Sequence, residues 1–252
     1  MRILLLGGTG ESIELAAGLV GRRHKVTTAL AGRTRNPRKP QGALHLGGFG
    51  GAEGLAKFLG ENRFEYLVDA THPFAVQISA NAVRAAANAG VPLLRLERAA
   101  WPEPSRTRWE HVVDEEAAAV ALPESATVLL TTGRQRLSAF LARHDCRFVL
   151  RSIEAPDLAL PANFALRTDR PPFTLHDELA LMRRFGFSHL VAKNSGGGQT
   201  AAKLEAAFLL KIKVVMIDRP PLAPTQTVTT VEAALAVIDQ LPAPARRLFF
   251  FP

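Results

Sequence analysis

Short apolar runs with the look of strands alternate with longer Ala- and Leu-rich segments of helical spacing along almost all of this 252-residue chain. That order builds crossover units around a parallel sheet, so the fold class is α/β. In the first half, strands are predicted at 2–6, 25–30, 44–46, 66–70 and 92–96. Helices are predicted at 11–21, 52–62 and 76–88, the first with Ile13, Ala16, Ala17 and Val20 on one face. Two prolines in Trp101-Pro102-Glu103-Pro104-Ser105 interrupt helix and central strand alike, which places a boundary there. Beyond it, strands at 109–113, 127–130, 148–151, 189–192 and 214–217 alternate with helices at 115–122, 136–143, 175–185, 200–210 and 231–241. The expected division is a domain at 1–100, a second of the same kind at 101–242, and a Phe-rich tail at 243–252.

Apolar residues make up 47% of the chain and charged residues 21%, which excludes a disordered protein. The formal charge of +8 favours an anionic partner, either nucleic acid or a polyanionic metabolite. Aromatic residues are not interleaved with the basic ones, so nucleic acid ranks low. The single cysteine, Cys146, excludes an internal disulfide and thiolate-cluster metal sites. No apolar run approaches membrane-spanning length, and residues 2–6 are too few for a signal-peptide core, so a soluble cytoplasmic protein is expected.

Gly7-Gly8-Thr9-Gly10-Glu11-Ser12 follows the first strand and opens the first helix, where backbone N–H groups approach a pyrophosphate. The string departs from the full dinucleotide fingerprint at Ile13, and a plain strand-to-helix turn is the alternative. An NAD site places an acid roughly 20 residues beyond the glycines. Here the second strand runs into Ala31-Gly32-Arg33-Thr34-Arg35, and no acid occurs from Lys25 to Gly51. Arg33, Arg35, Arg38 and Lys39 suit a ribose 2′-phosphate, which points to NADPH; a solvated basic loop is the alternative.

Several common chemistries are excluded. A Tyr–Lys reductase pair fails because the single tyrosine, Tyr66, has Ala70 four residues on. No histidine pair has zinc-ligand spacing, and no G-x-S-x-G elbow or Walker-type loop occurs, so no bound metal is expected. Asp69-Ala70-Thr71-His72-Pro73 ends the strand from Tyr66, at the edge where open α/β sheets bind ligands. His72 is read equally well as a proton donor and as part of a rigid turn. A second glycine cluster, Lys193-Asn194-Ser195-Gly196-Gly197-Gly198-Gln199-Thr200, leads toward Lys203 and presents donors for carboxylates or phosphates, with an ordinary loop as the alternative.

Taken together, GGTGES at 7–12, AGR at 31–33, GGFGGAEGL at 47–55, DATHPFA at 69–75, LRLERAAW at 94–101, TTG at 131–133, KNSGG at 193–197, TAAKLEAA at 200–207 and VVMIDRP at 214–220 are the carriers of a resemblance. The chain resembles the precorrin-6A reductase family of corrin-ring biosynthesis, in its cobalt-free and cobalt-containing branches. The resemblance implies two Rossmann-like domains with the active site in the inter-domain cleft, and NADPH-dependent reduction of a macrocycle double bond to give precorrin-6B. It implies cofactor contacts from Gly8, Thr9, Gly10, Glu11, Ser12, Ala31, Gly32, Arg33, Thr34, Arg35, Asp69, Ala70, Thr71, His72 and Pro73. The implied contacts to the polycarboxylate tetrapyrrole come from Lys193, Asn194, Ser195, Gly196, Gly197, Thr200 and Lys203, with His72 as the visible proton donor. A nucleotide-sugar transferase of two Rossmann-like domains and a non-catalytic NADPH-sensing protein are the competing expectations.

Overall fold

The computed structural model describes residues 1–32, 38–105 and 108–241, so the expected 2′-phosphate residues Arg33, Thr34 and Arg35 and the tail 243–252 lie outside the described residues. In chain order the elements are β1 (Arg2–Leu6), α1 (Gly10–Gly21), β2 (Lys25–Leu30), β3 (Ala43–Leu46), α2 (Ala52–Glu61), β4 (Tyr66–Asp69), α3 (Val76–Ala89), β5 (Leu93–Leu96) and β6 (Glu110–Val112). They continue as α4 (Glu115–Ala121), β7 (Thr127–Leu130), α5 (Ser138–Leu141), β8 (Arg147–Ser152), β9 (Phe164–Thr168) and α6 (Leu175–Phe185). The last are β10 (His189–Lys193), α7 (Ala202–Leu209), β11 (Lys213–Ile217), β12 (Gln226–Val228) and α8 (Val231–Asp239).

The first unit holds Met1–Arg98 and, after the chain returns at Pro221, residues 221–241 as well. Its sheet runs β12-β5-β4-β1-β2-β3 with every described pairing parallel. Strand order reverses at β1, so the crevice between the carboxyl ends of β1 and β4 is the topological switch point. β1 is buried on both faces, as a central parallel strand requires. Ile3 and Leu5 pack with Leu15, Leu19, Tyr66 and Val68 on one side, and Leu4 and Leu6 pack with Leu55, Leu59, Leu67 and Ala85 on the other.

This assignment corrects the expected division at 101–242. The segment 221–241 belongs to the first unit because Gln226, Thr227 and Val228 extend its sheet beside β5. In addition, Val231, Ala234, Leu235 and Ile238 of α8 complete the core on the α1 side. The buried face of α1 is Ser12, Leu15, Ala16 and Leu19, a rotation from the expected Ile13–Val20 stripe. A Cβ at Gly18 would sit 2.9 Å from Leu235, so the glycine permits α8 to approach α1 closely.

The second unit, Ala99–Pro220, has the order β6-β11-β10-β7-β8-β9, again with parallel pairing throughout the described strands. Leu129, Val149, Leu190, Val214 and Met216 from the sheet pack with Leu181, Met182 and Leu204 from α6 and α7. Edge strand β9 lies outside the strands expected from the sequence, and its Phe164 stacks on Phe148 at 4.5 Å between ring centroids. No described helix is long and apolar enough to cross a membrane.

If α8 closes the first core, Ile238→Ala costs about 2–5 kcal/mol of stability in urea unfolding followed by circular dichroism. A cost below about 0.5 kcal/mol, the scale of an ordinary surface change, would contradict this assignment.

Candidate functional site

In the first unit, the turn after β1 is shaped from within. Thr9 caps α1, its Oγ1 accepting from Ser12 N at 3.1 Å. Ser12 Oγ accepts from Gly8 N at 3.1 Å and Thr9 N at 3.2 Å, and donates to Thr9 O at 2.8 Å. This reciprocal cap engages the Gly8, Thr9 and Ser12 donors within the turn. The N–H groups of Gly10 and Glu11, in the first turn of α1, have no partner among the described residues and lie at the positive end of the helix dipole. Gly8 has φ +123° with open space where a Cβ would stand. A pyrophosphate therefore fits this turn through Gly10 and Glu11. The Glu11 carboxylate is held 2.6 Å from Arg98 Nη1, which offsets its charge. Ala31 and Gly32 are exposed at the end of β2, Gly32 with φ +70°.

One strand away, Thr9 Oγ1 donates to Ala70 O at 3.0 Å, tying the glycine turn to the end of β4. Asp69 is buried and accepts from Thr71 Oγ1 at 2.7 Å, Thr71 N at 3.2 Å and Arg95 Nε at 3.3 Å. Arg95 Nη1 donates to Ala223 O at 2.8 Å. Ser79 Oγ is 3.3 Å from Thr71 Oγ1. Asp69 thus holds the loop through Thr71 and Arg95. Thr9, Glu11, Thr71, Pro73, Leu96 and Arg98 line one recess at this edge, and His72 joins Thr71 and Pro73 in a second. His72 Nδ1 lies 3.3 Å from Phe74 N, within the turn.

In the second unit, Lys193 at the end of β10 places its ammonium 2.8 Å from Glu115 Oε1 and 3.2 Å from Thr132 O. Asn194 is turned inward: its Oδ1 accepts from Trp101 N at 2.9 Å and its carbonyl accepts from Arg219 Nε at 2.7 Å. Trp101 Nε1 donates to Gly197 O at 2.9 Å. Lys203, only 5% exposed, lies 4.6 Å from the Trp101 ring centroid and donates to Thr200 O at 3.0 Å. Asn194 Oδ1 and Lys203 Nζ thus brace the loop from within this unit, Lys203 through the Thr200 carbonyl. Ser195 is buried, and Gly196 and Gly197 have φ +67° and +82°.

The structure brings the expected residues together in two groups: Gly8–Ser12 with Asp69–Pro73 in the first unit, and Lys193–Lys203 in the second. Arg95, Arg98, Trp101 and Glu115 were not singled out individually as site residues. Their signal was chemical type out of place, such as an arginine inside the apolar run Leu93-Leu94-Arg95-Leu96. Burial pushes the Tyr66 phenol and the Cys146 thiol up, so neither is poised for acid or nucleophile work. No cluster of metal-ligating side chains occurs among the described residues.

A Cβ at Gly196 would lie 2.0 Å from Ala99 O on a backbone already at positive φ. Gly196→Ala is expected to destabilise the protein by at least about 1–3 kcal/mol in thermal unfolding. An unchanged melting temperature would contradict the packing of this loop.

Comparison with known proteins gives a consistent answer. The family described as precorrin-6x reductase CbiJ/CobK matches residues 2–239. The precorrin-6A reductase of Rhodococcus erythropolis is 47% identical over 243 residues, 95% of this chain and 98% of the relative. That of Rhodobacter capsulatus is 40% identical over 236 residues, covering 93% and 94%. The cobalt-precorrin-6A reductase of Priestia megaterium is 31% identical over 255 residues, covering 94% and 98%. A solved structure of CobK precorrin-6A reductase superposes with a TM-score of 0.91 at 39% identity, over 95% of this chain and 96% of that one. These relatives lend no support to a nucleotide-sugar transferase or a non-catalytic NADPH sensor. With a match spanning both units and a shared fold along nearly its whole length, this chain belongs to the precorrin-6x reductase CbiJ/CobK family.

Proposed function

We propose that the chain reduces a macrocycle double bond of precorrin-6A to give precorrin-6B in cobalamin biosynthesis, with NADPH as the reductant and the cytoplasm as its place. The observation that carries this reading is the carboxyl edge of the first sheet. There a helix start with two open N–H groups adjoins the Asp69–Pro73 turn, in a chain whose family is a reductase. The relatives named for the metal-free substrate share more of this sequence than the Priestia relative named for the cobalt form, which favours precorrin-6A itself.

When bound, reduced nicotinamide supplies the hydride. Gly10 and Glu11 N–H hold the pyrophosphate. Arg33 and Arg35, with Thr34, hold the 2′-phosphate; the support for this is the run of basic residues and the lack of any acid from Lys25 to Gly51. Thr71 and His72 bound the nicotinamide, and His72 in its imidazolium form delivers the proton that completes reduction. Lys193, Ser195 and the backbone of Gly196 and Gly197 engage substrate carboxylates. The +8 charge draws the polyanion in.

Anaerobic turnover is expected to be fastest with metal-free precorrin-6A and NADPH; preference for the cobalt-loaded substrate or for NADH would overturn the corresponding choice. Arg33→Ala is expected to shift the NADPH-to-NADH preference by about tenfold or more. An unchanged ratio removes Arg33 from the phosphate site. His72→Ala is expected to lower kcat about 10²–10⁴-fold with NADPH affinity retained, and an unaltered kcat rejects the proton-donor role.

A further inference from the structure

Arg95 is a charged residue inside a buried strand, a position that requires each donor to find an acceptor. Two of its three nitrogens do: Nε meets Asp69 Oδ2 at 3.3 Å and Nη1 meets Ala223 O at 2.8 Å. Nη2 is buried and has no partner among the described residues. Arg95 lines a recess with Thr71, His72, Pro73, Ser79, Glu97 and Leu222, at the carboxyl end of β4 and β5.

We infer that Arg95 anchors the nicotinamide end of the cofactor, Nη2 donating a hydrogen bond to the carboxamide oxygen. The inference rests on the reading that a reduced dinucleotide binds at the Gly7–Ser12 turn. Three observations carry it further than that reading. The first is position. A dinucleotide laid across the switch point with its extra phosphate near the end of β2 extends its other half over β4 and β5, where Arg95 stands. The second is charge. Asp69 already neutralises Arg95, and Glu97 lines the same recess, so a neutral carbonyl oxygen is favoured over a second anion. The third is rigidity. Asp69 and Ala223 fix the guanidinium, and Thr71 fixes Asp69, so the donor is oriented before the ligand arrives.

The test compares NADPH with 2′-phospho-ADP-ribose, which lacks the nicotinamide ring, by calorimetry on the full chain and on R95K. Lysine keeps a positive charge opposite Asp69 but lacks the forked second nitrogen. R95K is expected to weaken NADPH by about tenfold or more while 2′-phospho-ADP-ribose stays within about twofold. Equal weakening of both ligands, or NADPH affinity within about twofold of wild type, overturns the inference. Wild-type protein that binds neither ligand removes the cofactor reading and this inference with it. Wild-type protein that binds both with an insensitive R95K removes the inference alone. If R95K does not fold, the doubly neutral D69N/R95Q variant is given the same comparison and the same criteria. On wild-type protein, the nicotinic acid analogue of NADP+ is expected to bind about tenfold more weakly than NADP+, since it brings a carboxylate to a recess that already holds two. Equal or tighter binding of the analogue overturns the choice of a neutral acceptor.

Discussion

The ion pair between Asp69 and Arg95 holds the functional edge of the first unit in place. A buried pair of this kind contributes little net stability against an apolar replacement, yet removing one partner costs about 3–5 kcal/mol, because the other charge is left buried and unmatched. Its value here is geometric. Asp69 ends β4, Arg95 lies in β5, and Ala223, which accepts from Arg95, sits where the chain returns to this unit. One guanidinium therefore links three segments distant in sequence, and Asp69 passes that constraint to Thr71 and the turn carrying His72.

The glycine turn is organised by the same economy. Thr9 and Ser12 satisfy each other and the first loop amides, which leaves the next two N–H groups directed outward from a rigid helix start. Parallel strands bring that helix start and the end of β4 to one edge of the sheet, and the Thr9 bond to Ala70 O sets their spacing. A reductase that depends on a reduced nicotinamide cofactor needs such alignment more than it needs a strong acid–base pair, since hydride transfer rewards correctly oriented rings. In the second unit, Trp101 plays a comparable part, bracing the Gly196–Gly197 loop through two hydrogen bonds and the Lys203 cation.

The central strands and both glycine turns were legible in the sequence because buried parallel strands are continuous apolar runs and glycines mark the turns that follow them. Strands β9 and β12 were not. β9 is an exposed edge strand whose Phe-Ala-Leu-Arg-Thr has no clean alternation, and β12 is three residues beyond a proline-rich stretch. The return of 221–241 to the first unit is a long-range pairing that no local pattern encodes. The candidate site was legible at the level of motifs but not of individual donors. The Gly7–Ser12 string locates a phosphate-fitting turn, but which amides remain open depends on where the Ser12 hydroxyl points. Likewise Lys203 reads as a donor for carboxylates or phosphates, and the Trp101 ring and Thr200 carbonyl around it come from the fold.

The account rests on direct delivery of hydride from a bound reduced nicotinamide to the macrocycle. The most direct measurement is mass spectrometry of the product formed from precorrin-6A and NADPH deuterated at C4 of the nicotinamide. The account predicts transfer of a single deuteron from the coenzyme to a ring carbon, with the accompanying proton drawn from exchangeable sources. Product whose new hydrogens both come from solvent, with the label retained in the coenzyme, would contradict it.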